Sequence, residues 1–428
     1  MTAGETHRAI EATFRIERAR LIAGLARFVR NVDLAEELAQ DALVVALSEW
    51  PRTGVPVNPG AWLTTAAKRR AIDAIRRDNM RERKHEEIAR ALDETLDGAA
   101  EAIEAAMDDD LGDELLGLIF TACHPMLSPD ARAALTLKVV GGLTTDEIAR
   151  AFLSSEATIA QRIVRAKKAI AKAGLTFEVP RGAERAARLT SVLEVIYLIF
   201  NEGYAATAGD DLVRPALCLE AQRLGRMLAG LMPEDAEVFG LLALMELQAS
   251  RQTARTGPDG AVVPLTEQDR ARWDQLLIRR AMATLQQAEQ LAARGKPVGK
   301  YFLQASIAAQ HARAARAEDT SWRRIAALYD VLADAAPGPV VEVNRAVAYG
   351  RAFDPDAGLA VLDALDAEAL GDSPLVPSVR GDLLERAGLH ALASEAFAEA
   401  AGRTRNESER AVLHRRAELN LTLASKSR

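Results

Sequence analysis

Residues 143–168 read LTTDEIARAFLSSEATIAQRIVRAKK, two short helices joined by a tight turn. Thr144 and Glu147 have the spacing of a capping box, which starts the first helix. Ile148, Ala149 and Phe152 give that helix a buried face. Leu153, Ser154 and Ser155 form the turn, with Ser155 as N-cap of the second helix. Ile159, Ile163 and Val164 make the inner face of the second helix, and Glu156, Thr158, Gln161, Arg162 and Arg165 point away from it. An apolar underside and an Arg-rich outer side are what a major-groove reader needs. Arg pairs bidentately with guanine, Gln with adenine, and Glu accepts from cytosine. Lys167, Lys168 and Lys172 follow with no acid among them and suit phosphates. A plain helical hairpin with a solvated charged face has the same pattern, so the surroundings must decide.

The chain has 428 residues, room for two or three domains with real cores. It is rich in Ala and Leu and only 4% aromatic, which favours an all-helical protein. The net charge of -7 looks wrong for a DNA binder, but the charge is segregated. Residues 1–174 hold 24 Lys+Arg against 27 Asp+Glu, and twelve of those acids lie in 86–114, where Arg90 is the one base. Without that stretch the segment stands at about +8, so an acidic strap joins two basic lobes. Cys123 and Cys218 make no disulfide framework, and Cys123-His124 has no second pair to build a zinc site. The N-terminus has no apolar signal core, and no run reaches the roughly 18 apolar residues of a membrane span. A cytoplasmic protein without membrane contact is expected.

Residues 8–30 read as an amphipathic helix and 33–50, DLAEELAQDALVVALSEW, as a second. Leu34, Leu38, Ala42, Val45 and Leu47 of the second pack inward, leaving Asp33, Glu36, Glu37, Gln40 and Asp41 as an acidic outer patch. The Pro- and Gly-rich loop 51–59 feeds a basic helix, GAWLTTAAKRRAIDAIRRDNMRERK, with Leu63, Ala67, Ala71 and Ile75 on one face. Such a helix suits a nucleic-acid backbone and lacks the apolar face for membrane insertion. Helices resume at Leu115, break at His124-Pro125 and continue from Ser128 into the stretch quoted first. Residues 1–85 and 115–175 thus read as two small lobes, with 86–114 as linker.

This order of parts resembles a bacterial extracytoplasmic-function sigma factor of the sigma-70 family. DLAEELAQDAL resembles the region that docks on core RNA polymerase, which implies that role for Asp33, Glu36, Glu37, Leu38, Gln40 and Asp41. The loop 51–59 and the helix WLTTAAKRRAIDAIRR resemble the part that opens and reads the −10 element, implying Asn58, Trp62, Lys68, Arg69, Arg70, Asp73, Arg76 and Arg77. The segment from Leu127 to Lys168 resembles the −35 reader, implying Glu156, Thr158, Gln161, Arg162, Arg165 and Lys168. The resemblance implies strand opening without ATP, a flipped base captured near the loop 51–59 offsetting a few kcal/mol of unstacking. It also places the acidic strap near the nucleic-acid path, its charge mimicking a backbone. Arg69 stands where the family usually has Asn, and the turn at 153–155 lacks the usual small Gly-type residue.

Such factors usually stop near residue 175, and this chain continues for about 250 residues past a joint at Pro180-Arg181-Gly182. The extension, 181–428, reads as consecutive helices. VVEVNRAVAYGRAFDPDAGLAVLDAL and VRGDLLERAGLHALASEAFAEAA are two helix pairs with Gly350 and Gly388 in matching turns about 38 residues apart, near the tetratricopeptide period. This resembles the sigma-factor subgroup with a long tetratricopeptide-like extension, of which FNEGY (200–204), QDRARW (268–273), EDTSW (318–322), LYD (328–330) and NRAVA (344–348) look characteristic. Asn201, Glu202 and Tyr204 suit either a hydrogen-bonded helix end or a concave binding surface.

The sequence holds no phosphate loop, dinucleotide fingerprint, HExxH, GxSxG or CxxC, so neither an enzyme nor a cofactor is expected. The fold expected is all-α: two small helical sigma lobes, the second with the helix-turn-helix, and a helical tetratricopeptide-like C-terminal domain. The partners expected are core RNA polymerase, promoter DNA, and an intramolecular contact between extension and lobes, centred on 86–114 or 115–175. The competing reading is a conventional helix-turn-helix regulator with a sensory helical-repeat domain, which leaves the acidic patch and the basic helix unexplained.

Overall fold

Three long helices build the first lobe: α1 (Ala3–Val29), α2 (Val32–Thr53) and α3 (Pro59–Arg83). The break between α1 and α2 is local chemistry. Asn31 is extended, and its side-chain oxygen accepts from the N–H of Asp33 at 2.9 Å and of Leu34 at 3.2 Å, capping α2. Ile22, Leu25 and Ala26 of α1 bury against Leu38, Ala42, Ala46 and Trp50 of α2 and Leu63, Ala67 and Ala71 of α3. The loop expected from Pro51 starts later, because α2 carries Pro51 in its last turn. A proline there costs one hydrogen bond. The helix ends at Gly54, φ +85°, whose N–H still reaches the Trp50 carbonyl at 2.9 Å.

The computed structural model describes residues 3–83, 111–152, 154–204, 215–255, 257, 263–365, 371–404 and 407–426. Among them are eighteen α-helices and no strand, as expected of an all-α chain. The acidic stretch 86–114 lies outside the described residues up to residue 110. No helix among the described residues is long and apolar enough to cross a membrane. The chain divides into two compact units, Met1–Leu231 and Met232–Arg428.

The first unit continues with α4 (Leu111–Ala122), α5 (Pro129–Thr136), a π turn at Leu137–Gly141, α6 (Thr145–Ala151) and α7 (Glu156–Lys172). Leu118, Phe120, Leu135, Leu137 and Ile148 are almost wholly buried there. The unit runs past the joint at 180–182 and includes α8 (Gly182–Tyr204) and α9 (Pro215–Leu231). Arg188 of α8 donates to the Phe120 carbonyl at 3.0 Å and lies over the Phe120 ring. Ser191 donates to the Cys123 carbonyl at 2.5 Å, and Arg132 of α5 bonds Ser191. Arg223 of α9 donates to the Val140 carbonyl of the π turn at 3.2 Å.

The second unit holds α10 (Ala236–Ala249), α11 (Gln275–Ala293), α12 (Lys300–Arg313), α13 (Trp322–Ala335), α14 (Pro339–Ala352), α15 (Pro355–Asp363), α16 (Leu375–Arg386), α17 (His390–Arg403) and α18 (Glu407–Lys426). From α12 onward each helix packs on the next, so the core is a row of local clusters. Gly350 does not sit in a turn. It lies inside α14, where an added Cβ would come within 2.2 Å of the Leu383 side chain. Its smallness lets α14 and α16 approach, whereas Gly388, φ +75°, does turn the chain between α16 and α17.

QDRARW and EDTSW meet in the second unit. Arg270 donates to the carbonyls of His311 (2.5 Å) and Ala314 (2.6 Å) and to the Thr320 hydroxyl (2.9 Å), and lies over Trp273. His311 sets its ring edge-on to Trp322 at 5.2 Å. LYD and NRAVA meet similarly, with Tyr349 donating to Asp330 at 2.8 Å and Arg345 paired with Asp330.

Two predictions follow from these contacts. A chain cut after Gly174 loses Phe177, α8 and α9 and is expected to lose cooperative melting of its α4–α7 lobe in calorimetry. A chain cut after Leu231 keeps that transition, and equal melting of the two would remove α8 and α9 from the lobe's core. Burial, then the charges of Arg251 and Arg270, holds the His311 imidazole down to about 4 from 6.5. The unfolded chain therefore takes up that proton first, so stability is lost as pH falls from 6.5 toward 4, by roughly 3 kcal/mol. Denaturation of full-length protein at pH 7 and 4.5 should show a smaller loss for His311→Phe, which keeps a ring against Trp322.

Candidate functional site

Helices α6 and α7 are set by the caps their sequence announces. The Thr144 N–H donates to Glu147 Oε2 at 2.7 Å and the Glu147 N–H to Thr144 Oγ1 at 3.2 Å, both halves of the capping box. Ser155 Oγ accepts from the Thr158 N–H at 3.2 Å and starts α7. Within the turn, the Ser154 N–H reaches the Ala149 carbonyl at 2.9 Å; Leu153 lies outside the described residues. Ile159, Ile163, Ala166 and Ile170 form the buried stripe of α7. Val164, expected on that stripe, is 47% exposed, because one residue after Ile163 the helix has turned about 100°.

Opposite the stripe, Glu156, Thr158, Gln161, Arg165, Lys168 and Lys172 are exposed. The Thr158 hydroxyl is shared with Ser155 Oγ at 2.7 Å. Arg162 stands on the shoulder of the helix, 3.4 Å from Asp130 in the first turn of α5. The centre of the outer face is therefore Gln161, Arg165 and Lys168, three side chains with donors for base edges or phosphates.

The −10 set expected on α3 divides. Asn58 is exposed, but its side-chain oxygen accepts from the Ala61 N–H at 3.1 Å and caps α3. Trp62 sets its ring edge-on to Trp50 at 5.3 Å, so its inner side is committed to packing. Arg69 and Asp73 are exposed and Lys68 is half-buried. The side chains of Arg76 and Arg77 lie outside the described residues. Arg70 is paired with Asp41 of α2 at 2.8 Å, so one residue of each expected set neutralises the other.

On α2, Glu37 and Gln40 are exposed and Asp41 is half-buried. Leu38 belongs to the core of the lobe, 5% exposed, and does not join the surface. Glu36 also differs from the expected outer patch, its side chain only 8% exposed. Arg18 Nη2 donates to its Oε1 at 2.7 Å and Lys167 Nζ to its Oε2 at 2.5 Å. Lys167 also donates to Asp33 Oδ1 at 2.7 Å, so it faces α2 and not a phosphate. Burial lowers the Lys167 pKa, but hydrogen bonds to Asp33 and Glu36 and their charges outweigh it, and the net shift is upward from 10.5. The lysine side of the ion pair is therefore fully charged below the ordinary lysine range and loses its proton as pH rises through that raised value.

Arg18 was missed. It falls four before Ile22 and seven before Leu25, on the apolar stripe of α1, and a cation on such a stripe needs a buried partner. Cys123 is a packing group. Burial pushes its thiol up to about 11, against the opposing bond with the Thr136 hydroxyl at 3.3 Å. No cluster of His, Cys, Asp and Glu suited to a metal occurs among the described residues.

Comparison with known proteins matches residues 14–81 to sigma-70 region 2 and residues 118–170 to sigma-70, region 4. Residues 188–289 match a family of unknown function, DUF6596. An uncharacterized protein of Rhizobium meliloti (strain 1021) is 42% identical over 397 residues, covering 92% of each chain. No solved structure matches.

If the outer face of α7 lies in a major groove, Arg165→Ala or Gln161→Ala should each cost about 1–3 kcal/mol at one base pair and relax preference there. Lys168→Ala should weaken all sequences alike and lower the salt dependence of binding. Titrations against a set of single-base variants separate the two, and unchanged preference in both readers would remove α7 from the readout.

Proposed function

We infer the activity from one premise: the chain belongs to the sigma-70 family, with region 2 followed by region 4. It is a DNA-binding transcription-initiation protein of that family. Within that class, the reading the geometry supports best is an alternative sigma factor of the extracytoplasmic-function kind. It binds core RNA polymerase through the acidic side of α2, engages the −10 element with α3 and its preceding loop, and reads the −35 element with α7. One observation carries this reading. A single unit holds a capped helix pair with an outward Gln161, Arg165 and Lys168 face, an acidic helix and a basic helix in the sigma order. A regulator that binds DNA without polymerase needs only the first of these.

The extension supports activity in this reading. Arg188, Ser191 and Arg223 brace the region 4 lobe with bonds to its backbone, and bracing is a different task from inhibition. The helix pairs from α14 onward are a tetratricopeptide-like surface for holding a protein segment.

Charge reversal at Glu37 and Asp41 is expected to weaken binding to core RNA polymerase at least tenfold, about 1.4 kcal/mol, while the melting profile stays. Reconstituted transcription over a promoter library then shows whether the full-length protein directs initiation. Parental core affinity in the doubly reversed protein would falsify the docking assignment.

A further inference from the structure

Between α1, the start of α4 and the start of α8, the first unit holds a cavity of about 690 Å³ to which the sigma reading gives no task. Its walls are Arg27 of α1, Asp113 of α4, the connecting segment 176–181 and the first turns of α8. Four arginines line it: Arg27, Arg181, Arg185 and Arg188. The last three recur at spacings of four and three, which puts them on one side of the start of α8. Arg188 is the most buried, only 9% exposed. One of its Nη atoms is 3.3 Å from Glu184, and the other donates to the Phe120 carbonyl at 3.0 Å. Its Nε is shielded from solvent and meets no hydrogen-bond partner among the described residues. Arg181 and Arg185 are exposed, and neither is paired with an acid among the described residues.

The helix end adds to this charge. First-turn N–H groups have no partner within their own helix and carry the positive end of its dipole. In α8, a helix of 23 residues, that turn lines the cavity. Gly182 keeps the approach open, since a Cβ added there would meet nothing within 4 Å. Arginine binds phosphate oxygens through two parallel N–H bonds, and a helix N-terminus favours the same ligand. The volume falls within the range of roughly 300–1,000 Å³ of small-molecule sites. Three carboxylates also line the walls, Asp113, Glu178 and Glu184. Glu184 is paired with Arg188, and the other two belong to no group suited to a metal among the described residues. Asp113 and Glu178 are exposed, so they repel an extended nucleic-acid backbone laid over the opening. A compact anion set between the arginines fits the charge pattern better.

We propose that this cavity binds a small phosphorylated anion, a diphosphate or a phosphate ester. Arg181 and Arg185 hold it at the N-terminus of α8, and Arg27 and the buried Arg188 supply charge from the other walls. The site is separate from the outer face of α7 and stands whether or not the chain engages polymerase. Arg27 belongs to α1 and Arg185 to α8, so a bound anion bridges the two helices. A ligand held by the folded unit and not by the unfolded chain also stabilises that unit.

The test uses the full chain, with pyrophosphate as the probe and chloride at matched ionic strength as the control. Calorimetric titration is expected to show saturable binding, with amide exchange slowed at residues 183–185. Arg181→Ala combined with Arg185→Ala should weaken binding about tenfold or more. The melting curve without ligand should stay as in the parent, because both side chains are exposed. Arg165→Ala combined with Lys168→Ala, on the outer face of α7, should bind pyrophosphate like the parent. No saturable binding at millimolar pyrophosphate, or parental affinity in the Arg181 and Arg185 double variant, overturns the site. Loss of binding in the α7 variant alone places the phosphate on the DNA face and overturns it too. A short DNA duplex is the second arm. If the Arg181 and Arg185 double variant loses affinity for the duplex while the parent shows none for pyrophosphate, these arginines serve a nucleic-acid backbone and the proposal fails.

Discussion

The Glu36 carboxylate, buried between the Arg18 guanidinium and the Lys167 ammonium, is the charged contact that ties the first lobe to the second, beside the packing of α1 on α4. Three helices supply its three members, and two lobes meet there. A hydrophobic seam of the same size would be stronger but hard to reverse, since buried ion pairs often gain little over apolar packing. The same helix presents Glu37, the next residue, and Gln40, one turn on, to solvent, so the buried contact and the exposed surface share an element.

The second unit relies on a comparable device for a different end. Arg270 is 9% exposed and spends its guanidinium on two backbone carbonyls and one hydroxyl, with its plane against Trp273. It fastens the segment around residue 270 to the end of α12 and the turn before α13. Among the described residues no acid is bonded to it, and burial lowers its pKa despite the charges of Asp319 and Glu318. Arg270 and Trp273 of QDRARW and Thr320 of EDTSW thus serve the packing of this unit.

Gly350 and Gly388, at matching spacing in the two helix pairs, show how alike residues serve unlike needs. Gly388 adopts positive φ and turns the chain, while Gly350 is inside a helix where a side chain would strike Leu383. Spacing alone does not separate these uses, because both leave a glycine near the end of an amphipathic run. Val164 in α7 and Asn58 at the start of α3 make the same point. One is apolar yet exposed, and the other is polar yet used as a cap.

Sequence by itself determined whatever depends on neighbours within about four residues along the chain. The capping box at Thr144, the cap at Ser155, the Ile159–Ile163 stripe and the helix-turn-helix they define were legible there. So were the basic run of α3 and the order of the lobes. Tertiary structure alone decided which side of each helix is covered and by what. Glu36 and Glu37 are adjacent acids with equal propensities, yet one is buried and the other exposed. Lys167 and Lys168 are adjacent lysines that face α2 and solvent respectively. Helical periodicity fixes the angle between such neighbours but not its origin, and the origin is set by partners on other helices, Arg18 at 18 residues and Lys167 at 131 in the case of Glu36.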